Sequence, residues 1–304
     1  FHSFKLSASK SAFSRFKAIL VPRGVGLPMS QPYPFLGEAG DASSSTPFST
    51  RRLLGTDIYS LGSHDEGVMM ARNPESLRER IEEAARAEGV DLIGYADLTP
   101  ARDFICKQGG EFLAEFPRAV SIGVRLLDGI VDRLHQQDDP SVIGTYLYHI
   151  RNVVNPLLDR AALRIGEEIQ RSGYTAFAIP SSLTISGRED RGVISHKLAA
   201  NLAGLGWIGK NCLLITLDHG PRLRLATVLT DALLETGAPL PNRCGDCRDC
   251  VDICPAKAFT GVPFNPSEPR EARFKFELCS KHIRARELGC GLCMYVCPYG
   301  RKQT

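Results

Sequence analysis

The sequence predicts a layered α/β (α+β) domain followed by a small cysteine-rich domain. Three observations carry that expectation. Helix-period and strand-like segments alternate from residue 73 to about residue 230. Eight of the ten cysteines crowd between Cys244 and Cys297, and a Gly/Pro-rich stretch, GAPLPN at 237–242, separates the two regions. The expected boundaries are an N-terminal extension at 1–68, the layered domain at 69–240 and the cysteine-rich domain at 241–304. A chain of 304 residues with 43% hydrophobic and 23% charged content has enough apolar surface for two such cores.

Residues 1–68 stand apart. Positions 1–37 carry five Lys or Arg, six Ser and no acid, and SSSTP follows at 43–47, a composition that buries little. It is the composition of a transit peptide, but no Met begins the chain and Met69-Met70 directly precedes the first helical pattern. An over-extended start is therefore the competing expectation. Arg51-Arg52 lacks the sustained apolar run of an export signal, and no stretch reaches the roughly 18 apolar residues of a membrane span. The expectation is a soluble, cytoplasmic protein with no membrane partner.

In the layered region Asn73 suits a helix cap and Pro74 a first helical position, with Leu77, Ile81, Ala84 and Ala85 on one apolar face. VDLIGYADL at 90–98 and AVSIGVRLL at 119–127 read as strands. A helical pattern spans 142–172, with Tyr146, Ile150, Val153, Leu157, Leu163 and Ile169 as its apolar row and Pro156 starting or kinking the second part. YTAFAIP at 174–180 is strand-like, SHKLAANLAG at 195–204 helical, and CLLITL at 212–217 and LRLATVLT at 223–230 are strands.

The cysteine region is the most specific. Cys244, Cys247, Cys250 and Cys254-Pro255 have the C-x2-C-x2-C-x3-C-P spacing of bacterial two-cluster ferredoxins, in which the fourth cysteine serves the other cluster. Cys290, Cys293 and Cys297-Pro298 repeat the end of that run; Glu287 stands where its first cysteine would fall, and Cys279 is the replacement. The expected ligand sets for two 4Fe-4S clusters are Cys244, Cys247, Cys250 with Cys297, and Cys279, Cys290, Cys293 with Cys254. Zinc ribbons also use CxxC pairs, but two interleaved runs that each end in Cys-Pro favour iron. Such clusters imply a reducing compartment. Cys106 and Cys212 sit beside apolar residues and read as buried thiols. The net charge of +3 excludes a general argument for nucleic acid. The basic stretch at 270–286 reads as a solvated face or a dock for an acidic donor or RNA phosphate.

The order AGLGWIGKN (203–211), LLIT (213–216), VLTD (228–231), CGDCRDCVDICPAKAF (244–259), FELCS (276–280) and CGLCMYVCPYG (290–300) resembles epoxyqueuosine reductase and its relatives, over about residues 75–300. The resemblance implies a nitroreductase-like, corrinoid-processing-like layered domain and a cobalamin supplied with electrons by two clusters. It further implies an external low-potential donor, a ferredoxin or flavodoxin, and a carboxylic acid that protonates the departing oxygen. Counting back without gaps puts that acid at Asp190. Here Arg191, Gly192 and Val193 replace the family's Ser-Ala-Pro-like run, and Ser195, His196 and Lys197 replace its Leu-Glu-Arg. His196 is the second candidate, since an imidazole titrates near 6.5. Gly204, Gly206 and Gly209 are expected to let backbone approach a large flat ligand, Trp207 to wall it and Lys210 to meet a phosphate or propionamide. Only residues 301–304 follow the last motif, where the family continues into a helical-repeat region that helps hold tRNA; tRNA is weakened as a substrate accordingly. Two rival expectations accompany the reductase: a non-enzymatic electron carrier or corrinoid-reactivating reductase, and a reductive dehalogenase-like enzyme.

Overall fold

The first helix begins where a serine and a glutamate can satisfy each other's backbone. In the computed structural model, which describes residues 76–183, 192–286 and 289–301 within one compact unit, Val68–Thr304, the cap is Ser76. Its hydroxyl accepts from the Glu79 N–H at 3.3 Å, while the Glu79 carboxylate accepts from the Ser76 N–H at 2.7 Å. The cap expected at Asn73-Pro74, the extension at 1–68 and Asp190 lie outside the described residues.

The capped helix, α1 (Leu77–Ala87), leads into β1 (Leu92–Asp97), then α2 (Arg102–Gly109), α3 (Glu111–Ala114) and β2 (Arg118–Arg125). There follow α4 (Asp128–Val131), α5 (Pro140–Tyr148), α6 (Asn155–Arg171), β3 (Ala176–Ile179) and α7 (His196–Leu202). Two short strands, β4 (Trp207–Ile208) and β5 (Leu214–Ile215), pair with each other before β6 (Leu223–Thr230) returns to the main sheet. That sheet has the order β1-β2-β6-β3 and every neighbouring pair is antiparallel.

Alternation along the strands gives the sheet two apolar faces. Val120, Ile122 and Val124 of β2 and Ala226 and Val228 of β6 pack with α1, α5 and α6. Ala119 and Leu229 point the other way, into a core with Ile105, Leu113, Ile179 and Ala203. Helices therefore cover both faces of an antiparallel sheet, which makes the lobe a three-layer α+β structure.

The long helical region departs from its expected face for an identifiable reason. Residues His149–Val154 form a π-helical segment between α5 and α6. Its wider turn shifts the phase by one residue, so Val154, Leu158, Ala161, Ile165 and Ile169 are buried. Val153 and Leu163, placed in the core by an unbroken helical period, are 48% and 55% exposed. At the start of β6, Arg222 is 1% exposed and donates to Asp128 Oδ1 at 3.1 Å and Asp132 Oδ1 at 2.7 Å.

The cysteine-rich segment adds three short helical pieces, α8 (Asp249–Asp252), α9 (Phe276–Ala285) and α10 (Leu292–Tyr295). Met294 of α10 is buried in the larger core beside Tyr146. Gln137 accepts from the Gly291 N–H at 3.1 Å and, through its carbonyl, from Arg286 at 3.2 Å. These contacts knit the segment to the layered lobe. No helix among the described residues is long and apolar enough to cross a membrane.

Candidate functional site

Eight thiols lie in two neighbouring groups. Cys250 is within electrostatic reach of Cys297, Cys244 and Cys247, and Cys297 of Cys244 and Cys247. Cys279 interacts with Cys254 and Cys290, and Cys293 with Cys290, Cys279 and Cys254. Cys293 also feels Cys250, so the two groups adjoin. Burial, followed by the like-charged neighbours, pushes the Cys250 thiol up to about 12 and Cys279 to about 11; burial is likewise the main cause at Cys297, raised to about 11. Cys293 is shifted upward for the same reasons.

Cys244, Cys247, Cys250 and Cys297 ring a cavity whose wall includes Lys210 and Tyr299. Cys247 is exposed, giving this group a surface edge. The two groups share an apolar cluster: Cys250 of the first and Cys254 of the second pack with Val251, Ala258 and Phe259, with Cys279, Phe274 and Cys293 against them. No three His, Cys, Asp or Glu side chains among the described residues converge closely enough to hold a single metal ion.

The 204–212 segment forms a wedge between the sheet and the thiols. Gly204 has φ +76, and a side chain there would sit 2.9 Å from the Ala238 carbonyl oxygen. A side chain at Gly206 would press into the Ile215 carbonyl, and one at Gly209 into the Ile215 side chain. The close approach these glycines permit is thus to the chain's own residues. Trp207, 1% exposed, packs with Ile215, Cys297, Cys244 and Tyr299, its ring 4.8 Å from the Tyr299 ring in an edge-on contact. Its Nε1–H is buried and has no partner. Lys210, 7% exposed, donates from Nζ to the carbonyls of Gly245 at 2.7 Å and Cys247 at 3.0 Å. The next residue, Asn211, donates from Nδ2 to the Cys293 carbonyl at 3.0 Å. Lys210 therefore reaches the first thiol group, and Asn211, which also lines the first cavity, reaches the second.

Cys212 is buried and has φ +56, a left-handed backbone that non-glycine residues seldom adopt. Its N–H donates to the Gly209 carbonyl at 2.8 Å and its carbonyl accepts from Lys197 Nζ at 2.6 Å, which hold that conformation. Cys106 is only partly buried, packed beside the second apolar core.

His196 is committed at both ring nitrogens. A carbonyl can only accept, so Nε2–H donates to Pro180 O at 3.1 Å, and Nδ1 accepts from the Thr227 hydroxyl at 2.8 Å. Burial is the main cause that pushes the imidazole down to about 4. Near neutral pH the ring is uncharged and its single proton is engaged, which removes the basis for expecting it to donate that proton to a substrate. Ser195 caps α7, its hydroxyl accepting from the Leu198 N–H at 3.4 Å.

Residues 243–301 match the 4Fe-4S dicluster domain family, which defines the segment as a two-cluster ferredoxin-type module. About a third of the chain is similar in sequence to proteins named epoxyqueuosine reductase. It is 36% identical over 119 residues to the one from Gloeobacter violaceus, covering 36% of this chain and 37% of the relative. It is 35% identical over 118 residues to the one from Listeria monocytogenes, covering 37% and 31%. The chain thus spans about a third of the length of the curated relatives it matches. Among solved structures, a B12-dependent reductive dehalogenase shares the fold at a TM-score of 0.55 and 19% identity, over 79% of this chain and 34% of that one. The epoxyqueuosine reductase of Streptococcus thermophilus aligns at a TM-score of 0.47 and 19% identity, over 74% and 66%. The resemblance expected from the motif order is what these comparisons find.

The thiol groups fit the cofactor of that module. A cubane takes one thiolate at each iron, so its ligands ring a cavity, as the first group does. Crowded, desolvated thiols resist ionisation; a core of positive irons reverses that and holds them as thiolates. The predicted corrinoid residues Gly204, Gly206, Trp207, Gly209 and Lys210 come together differently, as an internally packed wedge with no open cradle. Asn211 and Lys197 were not singled out from sequence. Asn211 lay within the quoted AGLGWIGKN run, but nothing local indicates that its partner is 82 residues away.

Proposed function

We propose that the chain is an iron–sulfur reductase. It takes electrons singly from an external low-potential carrier, a ferredoxin or flavodoxin, and hands them to a substrate held by the layered lobe. The observation that carries this reading is the arrangement of eight thiols in two adjoining groups, one with a surface edge at Cys247 and the other tied to the lobe at the Cys293 carbonyl. Held by Cys244, Cys247, Cys250 and Cys297 and by Cys254, Cys279, Cys290 and Cys293, 4Fe-4S clusters supply one-electron storage and transfer. The chain's own contribution is to hold and shield them. Val251, Phe259 and Phe274 pack around Cys250 and Cys254, one from each group, and Asn211 ties the Cys293 loop to the lobe.

Asp190 keeps the role of proton donor in this reading, because His196 is neutral and hydrogen-bonded at both nitrogens. Epoxyqueuosine, named in the curated relatives, is the first substrate to test. No step is assigned to a corrinoid, since the residues expected to cradle it are engaged within the chain. Anaerobic reconstitution should give about eight irons per chain, the sum of two four-iron clusters. The reduced protein should then convert epoxyqueuosine, assayed with and without added cobalamin. Four irons or fewer would overturn the two-cluster assignment, and no conversion under either condition would overturn the reductase.

One observation favours a second reading, an electron carrier: the wedge and His196 are both fully engaged, leaving neither as a substrate contact. Eight irons with rapid reduction of an acceptor protein, but no small-molecule turnover, would select it.

A further inference from the structure

Two of the wedge residues expected to face a corrinoid, Trp207 and Lys210, lie instead against the first thiol group. Lys210 reaches the cavity bounded by Cys244, Cys247, Cys250 and Cys297, and its Nζ bonds the carbonyls of Gly245 and Cys247, one on each side of Asp246. Those two hydrogen bonds fix the loop that carries an exposed cysteine. No carboxylate pairs with the Lys210 ammonium among the described salt bridges, although Asp249 also lines the cavity, so Lys210 is the cation held against the thiol group. Beside it, Trp207 packs on Cys297 and Cys244 with an N–H that is buried and unpartnered. A buried donor left without an acceptor is costly, and the structure needs a reason to keep it.

We propose that Lys210 and Trp207 are positioning residues for the first cluster: Lys210 anchors the 245–247 loop and sets a cation against the cluster, and Trp207 donates its indole N–H to a cluster sulfur. Both effects favour the more negative, reduced state, because nearby positive charge and hydrogen bonds to sulfur raise a cluster's reduction potential. Asn211 performs only the mechanical half for the second group, through an uncharged amide on the Cys293 carbonyl. The two clusters are thereby made unequal by side chains of the layered lobe. The inference rests on the two-cluster reading given above.

Redox titration of the reconstituted full chain, followed by electron paramagnetic resonance, tests it. A Cys247→Ser variant identifies which signal belongs to the first cluster. Lys210→Met should lower that cluster's reduction equilibrium constant at least tenfold, which is about 59 mV for a one-electron couple, and leave the other signal in place. Lys210→Arg keeps the charge and should stay near wild type, while Lys210→Gln should follow Met. Trp207→Phe keeps the ring, removes the donor and should shift the same signal about threefold, or roughly 28 mV. If Lys210→Met instead loses iron, the proposal requires the lost cluster to be the first and the surviving signal to match the wild-type second cluster. Unmoved or equally moved signals, or loss of the second cluster, overturn the role of Lys210. An unmoved first signal in Trp207→Phe overturns that of Trp207. Wild-type protein that holds no clusters would instead sink the underlying reading, so the two failures are distinguishable.

Discussion

Replacing His196 with Gln removes a titration that the fold has displaced. Burial pushes the native imidazole down to about 4, against about 6.5 in the unfolded chain. A lowered native pKa means that the folded state prefers the neutral ring. Its contribution is complete above about pH 6.5 and is lost as pH falls toward 4. At pH 5 the unfolded ring has taken up its proton and the native ring has not, a difference that costs the native state about 2 kcal/mol, rising to about 3 kcal/mol near pH 4. Gln at this position keeps an N–H for the Pro180 carbonyl but loses the Thr227 contact, so the variant should be less stable by about 1 kcal/mol at pH 7.5. The two stability curves should therefore cross between pH 7.5 and pH 5. Anaerobic urea unfolding followed by far-UV circular dichroism, with variant and wild type compared at each pH, isolates the imidazole from acid effects common to both. Parallel curves would refute the reasoning.

Removing one thiol should cost one cluster: Cys297→Ser and Cys290→Ser should each fall from about eight irons to about four, by iron and sulfide analysis, with the surviving cluster differing between them. Arg222→Met leaves Asp128 and Asp132 without their shared buried cation and should destabilise the layered lobe by about 3 kcal/mol, read as a lowered urea midpoint. Gly206→Ala drives a methyl into the Ile215 carbonyl at the β4–β5 pairing and should cost about 3 kcal/mol, with loss of the near-UV signal of the buried Trp207. Ser76→Ala should cost about 1 kcal/mol in the same unfolding assay by breaking the capping box.

Sequence reads this fold best where one segment carries the whole signal. Strands β1, β2 and β6 are legible because both sheet faces are covered, so nearly every side chain in VDLIGYADL, AVSIGVRLL and LRLATVLT is apolar or small. The face of α6 is only partly legible beyond Ile150, since a π turn leaves no mark in composition yet turns Val153 and Leu163 outward while Ile169 stays in the core. Strand direction is also hidden: alternating helices and strands fit a parallel sheet as well, and only the pairing register shows an antiparallel one. Spacing makes the cysteine run legible as a repeated unit. The glycines of AGLGWIGKN are legible as points of close approach, but what approaches them is decided by Ile215 and Ala238. His196 looks like a proton donor only until its two partners, Pro180 and Thr227, are known.

The crossed membership of the two thiol groups orders events during synthesis. Cys254 is made early yet sits with the late cysteines, and Cys297 is made late yet closes the early group. Until Cys297 has been made, the first group lacks its fourth sulfur, and a nascent chain offered iron at that stage presents an incomplete triad there. The second group is complete as soon as Cys293 has been made, so of the two pockets the one with the surface edge is the last able to take four irons.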